Sequence, residues 1–258
     1  MDGMDTWRTA IATSDDSHIW LQGYDVTDLM TRADFTATIF LLHRGRLPSD
    51  GERRILGAIL IAVADHGAGA PSCATARLAA SGNRQSPSAA VAAGVLAIGD
   101  EHGGAGSLCM EMIAAGAEMA RQGAISIAEA AQRIADDAVA TRRRLPGLGH
   151  RVHATDPRKA VLFQLAQDAG IAGEGVAFMQ ALEQAAREKI KPLPINIDGA
   201  LAAVLHDLGF PPLFGKLVFI IGRVAGLTAE VAEEYVREKA MRIRIPVTYD
   251  GIPPRDMP

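Results

Sequence analysis

Cysteine, aromatic residues and surplus positive charge are all scarce in this chain of 258 residues. Its two cysteines, Cys73 and Cys109, sit in apolar segments and match no paired metal-ligand or redox spacing. They read as buried thiols in a reducing compartment, and no disulfide framework is expected. Lys and Arg number 26 against 30 Asp and Glu, a net charge of -4. A nucleic-acid binder needs the opposite balance to neutralise phosphates. The longest apolar runs, residues 55–64 and 217–227, are too short or too interrupted to span a membrane. The opening "MDGMDTWRTAIATSDDSHI" lacks the basic start and continuous apolar run of a signal peptide, so the cytoplasm is the expected location. No Gly-x-Ser-x-Gly elbow occurs, and "GFPPLFGK" has the wrong spacing for a phosphate loop, with no Ser or Thr after Lys216.

Helical periodicity is abundant. "DVTDLMTRADFTATIFLLHRG" opens with a candidate N-cap and ends at Gly45, and "DGERRILGAILIAVADHG" begins acidic and stops at Gly67. "SPSAAVAAGVLAIG", "SLCMEMIAAGAEMARQG", "SIAEAAQRIADDAVATRRR", "DPRKAVLFQLAQDAG", "VAFMQALEQAAREKI", "GALAAVLHDLG", "LFGKLVFIIGRVAG" and "TAEVAEEYVREKAMR" follow, nearly all bounded by Gly, Pro or a capping residue. These predict an all-α protein. "PINID" is too short to anchor a sheet, and "IRIPVTYD" alternates but contains Pro246, so both are expected as isolated extended segments. Residues 105–190 are read as a small helical domain between two parts, 1–104 and 191–258, of a larger one.

Three turns place an ionisable residue beside glycine: "IGDEHGGAG" with His102, "PGLGHRVH" with His150 and "NIDGAL" with Asp198. Turns on a rigid helical scaffold commonly present reactive groups. Each also has an ordinary reading, a solvated turn histidine for His102 or a helix N-cap for Asp198. "LFGKLVFIIGRVAGL" carries only Lys216 and Arg223 as charges, seven residues apart and nearly on one face. A guanidinium on so apolar a helix must meet a protein carboxylate or an anionic ligand, or snorkel to the surface. Arg158 in "TDPRKA" and Arg244 in "MRIRIPVTY" add two further forks suited to carboxylates. A polycarboxylate would use all three. "HRVH" spaces His150 and His153 three apart without a carboxylate or Cys partner at metal-site spacing, and no metal is expected.

In this order the turns resemble the citrate synthase superfamily: "DHG" at 65–67, "HGGA" at 102–105, "GLGHRVHATDPR" at 147–158, "NIDG" at 196–199, "GRVAG" at 222–226 and "RIPVTY" at 244–249. "LAIGDEHGGA" and the ending "IPVTYDGIPPRDMP" look most like short citryl-CoA lyases and the C-terminal module of ATP-citrate lyase. The chain departs from the synthase pattern at Ala62 and at "TAEVAEE", and from ATP-citrate lyase at "PSCATA", positions where those relatives carry histidines.

The resemblance implies a helical homodimer with a large and a small domain and a shared active site, acting on an acyl-CoA and a four-carbon keto dicarboxylate. It implies no tightly bound cofactor, coenzyme A arriving as part of the substrate. Asp198 resembles the carboxylate that moves a proton at the methyl carbon of acetyl-CoA, His102 the histidine at the thioester carbonyl, and His150 the one at the keto oxygen of oxaloacetate. His66, Arg158, Arg223 and Arg244 resemble residues that hold the four-carbon acid, Arg244 from across the dimer. The stretch from Gly147 through Leu148, Gly149 and Arg151 resembles the lining of the adenine site. Arg142, Arg143, Arg144 and Lys159 are candidates for the nucleotide's phosphates, with complementation of a helix C-terminus as the rival role of the arginine run. The expected activity is cleavage of citryl-CoA to acetyl-CoA and oxaloacetate. The alternatives are a short citrate or methylcitrate synthase and a non-catalytic CoA or carboxylate-binding regulator.

Overall fold

The structure is a computed structural model that describes residues 7–149 and 156–257. Eleven helices are present among the described residues: α1 (Val26–Arg32), α2 (Phe35–Arg44), α3 (Asp50–Ala64), α4 (Pro71–Gly82), α5 (Pro87–Leu96), α6 (Ala105–Gly123), α7 (Ile127–Thr141), α8 (Pro157–Asp168), α9 (Glu174–Lys189), α10 (Ile197–Asp207) and α11 (Phe214–Arg237). The all-α expectation holds, with one addition. An antiparallel ribbon of β1 (Ala12–Ser14), β2 (Ile19–Leu21) and β3 (Tyr24–Asp25) precedes α1, Thr13 facing Trp20 and Leu21 facing Tyr24. Strands of two or three residues are too short for alternation to mark them.

Local chemistry explains where the helices depart from their sequence limits. The segment expected as one helix up to Gly45 breaks into α1 and α2 because the Asp34 carboxylate accepts from Ala37 N (2.8 Å) and its backbone turns extended. The segment after Gly67, which is not among the expected helices, forms α4, started by Pro71 in its first turn; its Ala- and Ser-rich sequence shows little periodic contrast. The two helices expected around Gly226 are one, α11. Gly226 is not a stop: a Cβ there would overlap the Ala64 carbonyl at the end of α3, so glycine permits close approach of two helices. The "IRIPVTYD" segment forms no ladder, and "PINID" contributes a single bridge between Ile195 and Leu148.

The core is built around α10, which is buried from Gly199 to Leu205 against α6, α8 and α9. Burying side chains such as Leu201 and Leu205 stabilises the fold by roughly 1.5–3 kcal/mol each. α11 crosses α3, α4, α5 and α6, and a smaller cluster of Cys73, Ala76, Ala80, Ala90, Leu227 and Val231 joins α4, α5 and α11. No helix among the described residues is long and apolar enough to cross a membrane.

The start of α10 is pinned to the glycine turn. Asn196 N donates to Gly147 O (3.0 Å), Asn196 Nδ2 to Gly149 O (2.7 Å), and Gly149 N to Pro194 O (2.7 Å). Gly147 has φ +80°, and a Cβ on it would lie 2.6 Å from the Gly199 Cα. A Cβ on Gly199 would in turn overlap the Gly147 carbonyl. Gly199→Ala is therefore expected to cost ~1–3 kcal/mol through overpacking, lowering the melting temperature by ~2–10 °C; an unchanged melt would show that the two turns are not locked together.

Candidate active site

Two arginines converge on the C-terminal end of α3. A helix ends with unsatisfied carbonyls and a partial negative charge, which attract guanidinium groups. Arg223 Nε donates to Val63 O (3.0 Å) and Arg158 donates through one amino group to Ala62 O (3.0 Å). Arg223 is 2 % exposed, yet among the described residues its hydrogen bonds go to no carboxylate. It also meets the Ser72 hydroxyl (3.0 Å), the Cys73 sulfur (3.9 Å) and the face of Phe219, 4.9 Å from the ring centre, on the preceding turn of α11. Arg158 makes a two-pronged bond to Asp156 (2.9 and 2.8 Å), whose carboxylate also caps α8 by accepting from Arg158 N (3.0 Å).

Ser72 passes this arrangement on to His102. Its backbone N–H donates to His102 Nε2 (3.2 Å), and its hydroxyl lies 2.9 Å from the same nitrogen. Nε2 is thus an acceptor, so a neutral His102 carries its proton on Nδ1. The imidazole is half-buried, with its edge toward Phe219. Burial, then the charges of Arg223 and His66, hold its pKa below the ordinary value. At neutral pH His102 is a neutral donor. His66 sits in the exposed loop between α3 and α4.

Asp198 occupies the first turn of α10. The N-cap is Asn196, whose side chain accepts from Gly199 N (3.1 Å), so the N-cap reading of Asp198 is corrected. Asp198 accepts no hydrogen bond from a described residue, and its pKa is raised to about 6: burial pushes it up against the pull of Arg158, with Asp156 adding to the rise and Arg223 opposing it. Arg223 is the charge the two groups share: it acts on His102 together with His66, and on Asp198 together with Arg158 and Asp156.

The remaining candidates lie elsewhere or outside. His150 and Arg151 lie outside the described residues. Gly147, Leu148 and Gly149 face the start of α10 as described. Lys159 Nζ is held by both oxygens of Glu183 (2.9 and 2.7 Å), and Glu183 also accepts from Ile195 N. Arg142 closes the C-terminus of α7, Arg143 pairs with Asp137, and Arg144 is exposed near Glu101 (3.7 Å). Arg142 closes the helix through its backbone N–H, bonded to Ala138 O and Val139 O, rather than through its charge. Arg244 is exposed beyond α11. Met241 N, three residues earlier, is bonded to Ser81 O at the opposite end of α4 from Ser72.

Ser72, Phe219, Asp156 and Asp100 were not singled out from the sequence. Phe219 could have been found from its i−4 relation to Arg223, and Asp156 lies within the quoted Asp-Pro-Arg. Asp65, Cys73 and Glu230 bring one ligand atom each within 4.8 Å of one another. Burial keeps that thiol protonated, it donates to Asp65 (3.5 Å) and lies 3.9 Å from Arg223, Asp65 also accepts from Gly67 N, and Glu230 is paired with Arg77, so the three groups are engaged within the protein itself.

A family model described as "Citrate synthase, C-terminal domain" matches residues 48–244. The chain belongs to this family of helical enzymes. A solved citryl-CoA lyase from Hydrogenobacter thermophilus is 36% identical, with a TM-score of 0.88 over 98% of this chain and 97% of that one. An ATP citrate lyase from Methanothrix soehngenii, solved with citrate and coenzyme A, shares the fold at TM-score 0.75 and 17% identity, over 97% of this chain and 43% of that one. A 2-methylcitrate synthase from Shewanella oneidensis is 29% identical over 222 residues, 84% of this chain and 55% of that protein. The chain spans about half the length of the curated relatives it matches.

The raised pKa of Asp198 has a thermodynamic sign. With a folded pKa of about 6 against an ordinary 3.8, ionising Asp198 destabilises the fold; the penalty is absent below pH 4, grows between pH 4 and 6, and is complete above pH 7. Asp198→Asn is expected to raise stability at pH 8 by up to about 3 kcal/mol, with the gain over wild type smaller at pH 5. Thermal melts at the two pH values check this, and equal shifts at both would contradict it.

Proposed function

We propose that the protein is a citryl-CoA lyase-type enzyme, cleaving citryl-CoA to acetyl-CoA and oxaloacetate. The observation that carries the reading is the combination of His102, a neutral Nδ1–H donor, and Asp198, a buried carboxyl group whose pKa is raised to about 6, which brings its proton transfer into reach of neutral pH. Breaking the carbon-carbon bond leaves an enolate next to a thioester, and these two groups fit that charge. His150 takes the hydroxyl proton as the bond breaks, and the hydroxyl carbon becomes the keto carbon of oxaloacetate. The bonding pair flows into the enolate, whose oxygen accepts a hydrogen bond from His102 Nδ1–H. Asp198 then delivers a proton to the enolate carbon, giving the methyl group of acetyl-CoA. One proton leaves oxygen and one arrives at carbon, and no water is consumed.

Arg223, Arg158, His66 and a partner's Arg244 hold the carboxylates of the four-carbon acid. In this reading Arg158 opens its fork from Asp156 toward substrate, while Gly147, Leu148, Gly149, Arg151, Arg144 and Lys159 take the nucleotide portion of coenzyme A. Residues 105–190 act as the smaller domain, closing over the larger to exclude water. The likeness to the Hydrogenobacter thermophilus lyase over nearly the full length of both chains supports lyase chemistry. The second reading, a short citrate or methylcitrate synthase, is favoured by the curated relatives.

Supplying citryl-CoA and following oxaloacetate and free citrate separates the readings. The lyase predicts oxaloacetate and acetyl-CoA without free citrate. Citrate release would establish the synthase, and no turnover would leave the binding module. The exposed Arg244 supplies a test of the shared site: mixing inactive Asp198→Asn and Arg244→Gln chains should restore about a quarter of wild-type activity, because half the dimers then hold one intact site. No recovery would place Arg244 outside the partner's site.

A further inference from the structure

The sequence places two charges on the apolar first half of α11, and the proposed function uses only Arg223. Lys216, two helical turns earlier, is 33% exposed and its Nζ lies 2.8 Å from Asp100 Oδ1. Asp100 is a corner of the turn that carries His102. Gly99 N donates to His102 O (3.0 Å), His102 N to Gly99 O (2.9 Å), and Gly104 N also to Gly99 O (2.9 Å). The turn is rich in glycine, with Gly103 at φ +79°, and such backbone holds a side chain only loosely without outside ties.

Lys216 supplies several. Its side chain reaches Asp100, its Cε lies 2.8 Å from where a Cβ on Gly104 would be, and its backbone N–H donates to Ser107 Oγ (2.9 Å), whose own hydroxyl donates to Leu213 O (3.3 Å). The first turns of α6 and α11 are thereby joined next to His102. One helix thus grips His102 twice. Arg223 fixes the imidazole through Ser72, and Lys216 fixes the backbone through Asp100. The ties from Lys216 run to the backbone and corner of the turn, not to the imidazole itself.

We infer that Lys216 and Asp100 form a positioning pair that holds the His102 turn so that Nε2 stays on Ser72 and Nδ1–H faces the reacting thioester. The pair does not touch substrate. This rests on the proposed role of His102 only for its kinetic consequence; the placement of the ring can be read without turnover.

Nitrogen NMR of histidine-labelled protein, with His102 assigned from His102→Ala, is the first readout. Wild type should show one neutral tautomer with the proton on Nδ1. Lys216→Met and Asp100→Asn should each shift His102 toward an average of both tautomers, the double variant should match the singles, and Lys216→Arg should restore the wild-type signal. An unchanged signal in Lys216→Met overturns the inference whatever the enzyme's reaction. Kinetics with citryl-CoA is the second readout. Each single variant should lower kcat about 10-fold with KM within about twofold, and Lys216→Met should cost nothing further in a His102→Ala background, as coupled residues do. A rise in KM alone would make Lys216 a substrate contact, and additive losses would make it independent of His102; either overturns the inference. A tautomer shift in a protein without citryl-CoA turnover would uphold the positioning and refute the proposed function.

Discussion

A buried guanidinium organises this molecule. Arg223 sits on an apolar stretch of α11 with 2 % of its surface exposed, and a cation so placed is tolerated only when its donors are satisfied. The satisfaction comes from the last turn of α3, the first turn of α4 and the ring of Phe219. Three helices are therefore obliged to meet where Arg223 points. The meeting point then dictates the tautomer of His102, because Ser72 spends its backbone N–H and its hydroxyl on one imidazole nitrogen. Packing, polarity and candidate chemistry are one constraint seen at three scales.

Asp198 shows the opposite bargain. It stands in the first turn of the most buried helix with no hydrogen bond from a described residue, flanked by the Asp156–Arg158 pair. Burial outweighs the pull of both arginines, so its ionised form destabilises the fold. Groups kept in such disfavoured states are common where proton transfer is required, and the stability they give up is tolerated for function. Nearby, the lock between Gly147 and Gly199 holds the start of α10, and with it Asp198, against the turn that precedes His150.

The all-helical class was legible because amphipathic periods and glycine or proline boundaries recur along most of the chain. Helix α4 was not, since alanine and serine give little contrast between faces, and the ribbon β1–β3 was not, since its strands are shorter than one cycle of useful alternation. At the site, residues with unusual chemistry in unusual turns were visible: His102, Asp198 and Arg223 stood out against glycine or an apolar helix. Their supports did not. Ser72, Asp100 and Phe219 are ordinary residue types, and their roles depend on partners 30 to 151 positions away for Ser72 and 116 away for Asp100. Arg158 and Lys159 read as free cations in the sequence, but the fold supplies each with a carboxylate, Asp156 and Glu183. Spacing along a chain says little about which charges it will neutralise internally.

The central claim is that His102 and Asp198 face the two ends of one reacting unit, the thioester oxygen and the adjacent carbon. A crystal structure with oxaloacetate and an unreactive acetyl-CoA analogue that keeps the carbonyl tests this most directly. The account predicts the carbonyl oxygen at roughly 3 Å from His102 Nδ1, with the methyl carbon beside the Asp198 carboxyl and a carboxylate of oxaloacetate against Arg223. A carbonyl oxygen turned away from His102, or a methyl group out of reach of Asp198, would contradict it.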